Sequence, residues 1–351
     1  MMPTRSRSPL RVVVADDSAV ARSLIRACLE RDRDIEIVGE ASNGLEAVDL
    51  VERQRPDLLT LDLHMPQLGG LDAIERIMSR RALPILVITG SADAGIAGEA
   101  ILRGALDVTA KPGYDDVGCG LLAARVRLLA KVPVITRSFR VDRQSPASGA
   151  VAPCPAAPDA DKRVVAIASS TGGPQALATI LPKLPASFRA PVLIAQHIPD
   201  GFAEGMADWL AGLCPLPVVL ARDGAPIEAG HIYIAPAERN LVVTAGHRLA
   251  LVERAANELH RPSCDALLNS VSRVFGAAAI GVILSGMGRD GALGMAALHR
   301  EGAVTIAQDE ASSVVFGMNQ VAIERGVIRR VLPVGAIGDE LVALLARRRP
   351  R

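Results

Sequence analysis

Between residues 10 and 130, short aliphatic runs alternate with stretches in which apolar residues recur every three or four positions. Leu10 to Ala15 reads as a strand and Ala19 to Glu30 as a helix. Ile35 to Ala41 and Gly44 to Gln54 repeat the pair, as do Leu58 to Leu63 and Gly70 to Met78. Ile85 to Thr89 is a fourth strand, with a short helix near Ala94 to Arg103. Val108 to Ala110 is a fifth strand, and Leu121 to Leu129 closes the series as a helix. Continuous apolar runs suit strands covered on both faces, and helices at the 3.6 period supply the cover. Five βα repeats predict a doubly wound α/β domain with a five-stranded parallel sheet, ligands lying at the carboxyl ends of its strands.

Residues 131–162 change character. Pro, Ala, Ser and Asp dominate, as in Gln144-Ser145-Pro146-Ala147-Ser148-Gly149. Such a segment buries little apolar surface, so a flexible linker is expected. From Arg163 the alternation resumes and runs to about Leu345, which predicts a second doubly wound α/β domain over 163–345. Its first unit is distinctive. The run Val164 to Ala168 leads into Ser169-Ser170-Thr171-Gly172-Gly173, and a helical pattern, Pro174 to Leu181, follows at once. Strand, glycine turn and helix expose a side chain at the strand end and aim free backbone N–H groups at whatever it attacks.

A length of 351 residues fits two domains. Apolar residues make up 50%, enough for two cores, but aromatics are 2%, so aliphatic residues must do the packing. Scarce aromatics and a net charge of +1 argue against nucleic acid as a partner. The cysteines, Cys28, Cys119, Cys154, Cys214 and Cys264, show no CxxC spacing, so neither a disulfide framework nor a zinc site is expected. Met1 to Pro9 has no apolar signal core, and no apolar stretch approaches the roughly 20 residues that span a bilayer. A cytoplasmic protein without direct membrane insertion is expected, a monomer by default.

Acidic and basic residues collect at the strand ends of the first domain. Asp16 and Asp17 follow the first strand, Asp62 lies near the end of the third, Thr89 ends the fourth and Lys111 follows the fifth. Singly, such residues are helix caps or solvated surface. Together they converge on one sheet edge, where carboxylates repel one another unless a hard cation such as Mg²⁺ joins them. A metal and one ammonium favour a phosphoryl group on a carboxylate. Residues 10–130 thus resemble a response-regulator receiver domain. The resemblance implies Mg²⁺ on Asp16, Asp17 and Asp62, phosphorylation of Asp62 by a histidine kinase, and Thr89 and Lys111 as switch residues. Val108 departs from the family, which often has an aromatic switch residue there. The small residues of Gly90 to Gly95 predict a mobile loop.

The second domain offers partners for a seryl nucleophile. His197 ends the run Val192 to Gln196, and Asp290 lies in Ser285-Gly286-Met287-Gly288-Arg289-Asp290-Gly291 after the run Ile280 to Leu284. Three strand ends on one edge can assemble a triad, in which the base takes the hydroxyl proton and the carboxylate holds the imidazole. Singly, His197 is a strand-end histidine, Asp290 a helix cap and Ser170 an anion-binding hydroxyl. Ser169 rivals Ser170 by composition. Ser170 is preferred because it sits deeper in the turn, and backbone N–H groups near Gly172-Gly173 or Met287-Gly288 would serve an oxyanion.

Residues 163–345 resemble the catalytic domain of CheB-type chemotaxis protein-glutamate methylesterases. The motifs are Ala168 to Gly173, Gln196-His197-Ile198-Pro199, Ile232 to Pro236, His260-Arg261-Pro262-Ser263, Ser285 to Gly291 and Thr305 to Glu310. The resemblance implies Ser170 as nucleophile, His197 as base, Asp290 as its carboxylate and the Met287 backbone N–H as oxyanion donor, with no metal needed for hydrolysis. It implies demethylation of glutamate methyl esters, and deamidation of glutamines, on chemoreceptor cytoplasmic helices during sensory adaptation. A chemotaxis histidine kinase would be the phosphodonor, and the receiver would obstruct the site until phosphorylated. Arg261 is either a contact to receptor glutamates or a structural residue. The rival readings are a phosphorylation-dependent scaffold with a spent hydrolase site and a nucleic-acid-binding regulator. The intact Ser170, His197 and Asp290 argue against the first, and the composition against the second.

Overall fold

The computed structural model of the chain describes residues 8–31, 33–90, 94–113, 116–134, 163–254 and 261–346. The linker expected over 131–162 lies almost wholly outside these, as do residues 91–93 of the glycine-flanked loop and His260. The chain divides into two compact units, Met1–Arg143 and Gln144–Arg351.

The first unit is a five-stranded sheet in the order β2-β1-β3-β4-β5, every pairing parallel. Its strands are β1 (Leu10–Ala15), β2 (Ile35–Ala41), β3 (Leu58–Leu61), β4 (Ile85–Thr89) and β5 (Asp107–Ala110). The helices are α1 (Ala19–Leu29), α2 (Gly44–Gln54), α3 (Gly70–Arg80), α4 (Ala94–Arg103) and α5 (Asp116–Leu129). β3 and β4 are buried throughout, as their unbroken apolar runs predict. The strand order turns back at β1, with β2 on one side and β3 on the other. That switch point opens a crevice at the carboxyl ends of β1 and β3.

Two features differ from expectation. α5 begins at Asp116 rather than Leu121, because its glycine-containing first turn is held by burial of Cys119. Cys119 is bonded to Cys28 of α1 in a disulfide with a Cα–Cα distance of 4.6 Å. The absence of a disulfide expected from spacing is therefore wrong. The two cysteines lie 91 residues apart and meet through the packing of α1 on α5, which no local motif records.

The second unit carries a seven-stranded parallel sheet, ordered β14-β13-β12-β6-β7-β9-β8. The strands are β6 (Val164–Ser169), β7 (Val192–Gln196), β8 (Val218–Leu220), β9 (Ile232–Ile234), β12 (Ala279–Ile283), β13 (Val304–Gln308) and β14 (Arg330–Leu332). A separate antiparallel hairpin, β10 (Asn240–Val243) with β11 (Leu249–Val252), interrupts the βα alternation. The helices are α6 (Gly173–Ile180), α7 (Ala203–Ala211), α8 (Cys264–Phe275), α9 (Ala292–Arg300), α10 (Met318–Glu324) and α11 (Val334–Ala346).

Successive residues of β6 feed opposite cores. Val165 and Ile167 pack with Leu177, Ile180, Ile337 and Leu341 of α6 and α11. Ala166 and Ala168 pack with Leu267, Leu268, Met295 and Leu298 of α8 and α9. Small residues on the second face let α8 and α9 approach the sheet closely. A Cβ added at Gly281 of β12 would lie 2.6 Å from Leu298 Cδ1. Here too the order turns back at the first strand, with β7 on one side of β6 and β12 on the other. The crevice between the ends of β6 and β12 is the expected ligand position. No helix among the described residues is long and apolar enough to cross a membrane.

Candidate active site

In the first unit, the predicted acidic set converges as its strand ends require. One carboxylate oxygen each from Asp16, Asp17 and Asp62 lies within 4.8 Å of the others. Asp16 and Asp62 are buried. Lys111 Nζ sits 2.7 Å from Asp16 Oδ2 and 2.8 Å from Asp62 Oδ2. The Ser18 N–H, at the cap of α1, donates to Asp16 Oδ1 at 2.9 Å and fixes that carboxylate. Burial pushes the Asp16 carboxyl above its ordinary value, although Lys111 opposes it. Burial would lower the Lys111 ammonium, but its bonds to Asp16 and Asp62 outweigh that and raise it. A buried carboxylate that remains hard to ionise beside a lysine is a site short of positive charge. Three hard oxygen donors at this spacing fit Mg²⁺. Thr89, at the end of β4, is buried, and the Lys111 N–H donates to its carbonyl at 3.2 Å. Val108 is half-buried on β5.

In the second unit, Ser170, His197 and the Ser285–Asp290 turn leave adjacent strands β6, β7 and β12. The backbone ties them together beyond the sheet. The Ser170 N–H donates to Ser285 O at 3.0 Å and the His197 N–H to Ser169 O at 2.9 Å. Gly172 has φ +79°, a left-handed conformation that glycine adopts without strain, and it turns the chain directly into α6. A Cβ at Gly286 would lie 2.7 Å from Ser170 Cβ. The segment leading into Met287 therefore presses directly on the serine. Among the described residues, the N–H groups of Thr171, Gly172 and Met287 have no protein acceptor.

His197 Nε2 bonds Asp290 Oδ2 at 2.8 Å. Asp290 also sits at the N-terminus of α8. Its Oδ2 accepts from the Cys264 N–H at 2.7 Å, and its Oδ1 accepts from the N–H groups of Asp265 and Gly291, each at 3.0 Å. Unsatisfied amides and the positive end of the helix dipole favour a carboxylate there. Burial alone would raise the Asp290 carboxyl, but the His197 bond and charge and these amides prevail and hold it at about 2. An ionised, fully bonded carboxylate is suited to orient an imidazole and to support its cation.

Ser169 and Ser170 part company. The fully buried Ser169 hydroxyl donates to Gln196 Oε1 at 2.7 Å. Gln196 Nε2 donates to Ser170 O at 2.9 Å and His197 O at 2.8 Å. Ser169 is thereby committed to holding the turn. Gln196 is a residue that sequence reasoning passed over as a neighbour of His197. Cys264 was also missed. Its thiol lies 3.5 Å from His197 Nε2, but it is completely buried. Burial, and then the Asp290 charge, push it well above a thiol's ordinary value, so it stays protonated. Arg261 pairs loosely with Asp200 at 3.4 Å and remains half exposed.

The CheB methylesterase family model matches residues 165–341, and the response regulator receiver domain model matches residues 12–118. The chain belongs to the CheB methylesterase family. Among curated CheB-family relatives, a protein-glutamate methylesterase/protein-glutamine glutaminase 3 of Paramagnetospirillum magneticum is 47% identical, covering 98% of each chain. A relative of the same activity name from Rhizobium etli is 42% identical over 97% of this chain and 98% of its own. The crystal structure of the Thermotoga maritima CheB methylesterase catalytic domain is 37% identical, with a TM-score of 0.51. It covers 52% of this chain and 98% of that one.

Proposed function

We propose that this chain is a phosphorylation-activated serine hydrolase that demethylates glutamate methyl esters, and deamidates glutamines, on the cytoplasmic helices of chemoreceptors. The observation that carries the reading is the His197–Asp290 pair at 2.8 Å, set in the crevice where the Ser170 turn leaves the sheet. Ser170 attacks the ester carbonyl while His197 takes its proton. Because Nε2 is engaged by Asp290, the proton passes to Nδ1. Asp290 supports the imidazolium, and the Met287 N–H receives the carbonyl oxygen as charge develops on it. His197 then returns the proton to the departing methoxide, or to the nitrogen that leaves a glutamine as ammonia. Water activated by His197 releases glutamate from Ser170.

Control lies in residues 10–130, joined by a linker over 131–162 to the hydrolase at 163–345. Asp16, Asp17 and Asp62 would hold Mg²⁺, which when bound neutralises charge on a transferring phosphoryl group. Asp62 takes the phosphoryl group from a chemotaxis histidine kinase, Lys111 pairs its charge, and Thr89 hydrogen-bonds it. The added charge biases a two-state arrangement that frees the hydrolase. The setting is the cytoplasm, with the protein a monomer.

Methanol release from methylated receptor membranes tests this, with and without Mg²⁺ and a small phosphodonor. Release should rise with the phosphodonor, lose that rise in Asp62→Asn and disappear in Ser170→Ala. Phosphate loading without any release would leave a scaffold and overturn the enzyme.

A further inference from the structure

Asp290 is not the sole carboxylate behind His197. Asp265, in the first turn of α8, donates its N–H to Asp290 Oδ1 at 3.0 Å, and its half-buried carboxyl stands beside that of Asp290. The Gly294 N–H of α9 donates to Asp265 Oδ1 at 2.7 Å and holds it there. Among the described residues, the titratable groups facing this pair are His197 from the end of β7 and the Cys264 thiol from α8 itself, and Asp265 forms no ion pair with a lysine or arginine. A second half-buried carboxylate against the first is costly, since like charges in a low dielectric repel. Capping the Gly294 amide does not explain it, because an asparagine oxygen would serve without the charge.

We propose that Asp265 is a positioning residue for ester cleavage: ionised, it reinforces Asp290 in supporting the imidazolium that forms on His197, and protonated, it withdraws that support. This rests on Ser170, His197 and Asp290 acting as read above. The protonated form withdraws support for a definite reason. Its O–H donates to the Asp290 carboxylate, occupying an acceptor and removing one negative charge from behind the ring. Burial, and next the charge of Asp290, push the Asp265 carboxyl up to about 6. The change of state therefore falls near neutral pH, where an ordinary aspartate would already be fully ionised.

The test is the pH dependence of covalent labelling of Ser170 in the full-length protein by a fluorophosphonate, located by peptide mass spectrometry. The wild-type rate, divided by that of Asp265→Asn, should fall towards one as the pH drops through about 6, where Asp265 takes its proton. Asp265→Asn keeps the acceptor for Gly294 but resembles the protonated state. It should label about tenfold more slowly at pH 8 and at the wild-type rate at pH 5. A merely structural role would change the folded fraction and leave the ratio of the two rates independent of pH. Labelling of Ser170 in Asp265→Asn at the wild-type rate, with the wild-type profile, would overturn the inference. If the variant does not fold, Asp265→Ser takes its place in the same comparison. Failure of the wild type to label at Ser170 at any pH overturns the triad reading itself, and the inference with it.

Discussion

The Ser169 hydroxyl and the Gln196 side-chain carbonyl lie 2.7 Å apart, and this bond separates two adjacent serines into different roles. Ser169 and Gln196 lock the ends of β6 and β7 together, while the hydroxyl of Ser170, itself buried, takes no part in that bond. Ser170→Ala should abolish methanol release, a loss of at least about 10³-fold, with little change in stability. Ser169→Ala should do the reverse. It leaves Gln196 Oε1 buried without a donor, at a cost of about 1–3 kcal/mol, and retains measurable turnover. Urea unfolding and methanol release on both variants check the assignment.

Gly286 tests the packing on the other side of the serine. A Cβ there meets Met318 Sδ and would lie 2.7 Å from Ser170 Cβ. Gly286→Ala should therefore displace the serine turn, with a destabilisation of about 1–3 kcal/mol from overpacking. Methanol release should fall further than the folded fraction does, since the Met287 N–H follows in the same segment. Release in proportion to the folded fraction would mean that the turn tolerates the shift.

The thiols make a separate case. Cys264 is completely buried and raised well above a thiol's ordinary value, and burial pushes Cys214 up to about 11. Neither supplies thiolate near neutral pH. Iodoacetamide at pH 8 should leave the native esterase active and both cysteines unmodified, whereas the unfolded protein should react at both. Cys28 and Cys119 should react only after a reductant is added as well. Peptide mass spectrometry reads all four positions. Alkylation of native Cys264 with parallel loss of activity would make it, and not Ser170, the nucleophile.

The sheets were legible because their signal is local. An unbroken apolar run such as Ile85 to Thr89 can hardly be anything but a doubly covered strand, and the observed β4 has those bounds. The meeting of His197 and Asp290 beside the Ser170 turn was legible for a related reason: each follows such a run, and parallel strands carry their carboxyl ends to one edge. What escaped was set by contacts between distant segments. The Ser169–Gln196 bond spans 27 residues and the Cys28–Cys119 bond 91. Asp265 looks like an ordinary first-turn acid of α8, and only the approach of the Asp290 turn to that helix end makes it part of the site. The β10–β11 hairpin was missed because its four-residue strands are too short for a periodic pattern to stand out.

The two carboxylates also make opposite predictions for stability. Asp290 is held at about 2, below the ordinary 3.8, so it stabilises the fold above about pH 4 and loses that contribution as the pH falls towards 2. Asp265 is pushed up to about 6 from 3.8, so the folded state binds its proton more tightly than the unfolded chain does. Its relative contribution is fully present below about pH 4 and is lost as the pH rises through 6. Stability of the second unit should therefore increase when the pH drops from 7.5 to 5, and decrease again below about 4. The first change should be on the order of 1–2 kcal/mol, after allowance for the solvent that reaches Asp265. Asp265→Asn should be more stable than the wild type at pH 7.5 and should not gain on acidification to pH 5. Urea midpoints for the two proteins across this range decide it. A wild-type midpoint that falls steadily from pH 7.5 to 5, with the variant following in parallel, would mean that Asp265 titrates as an ordinary surface acid.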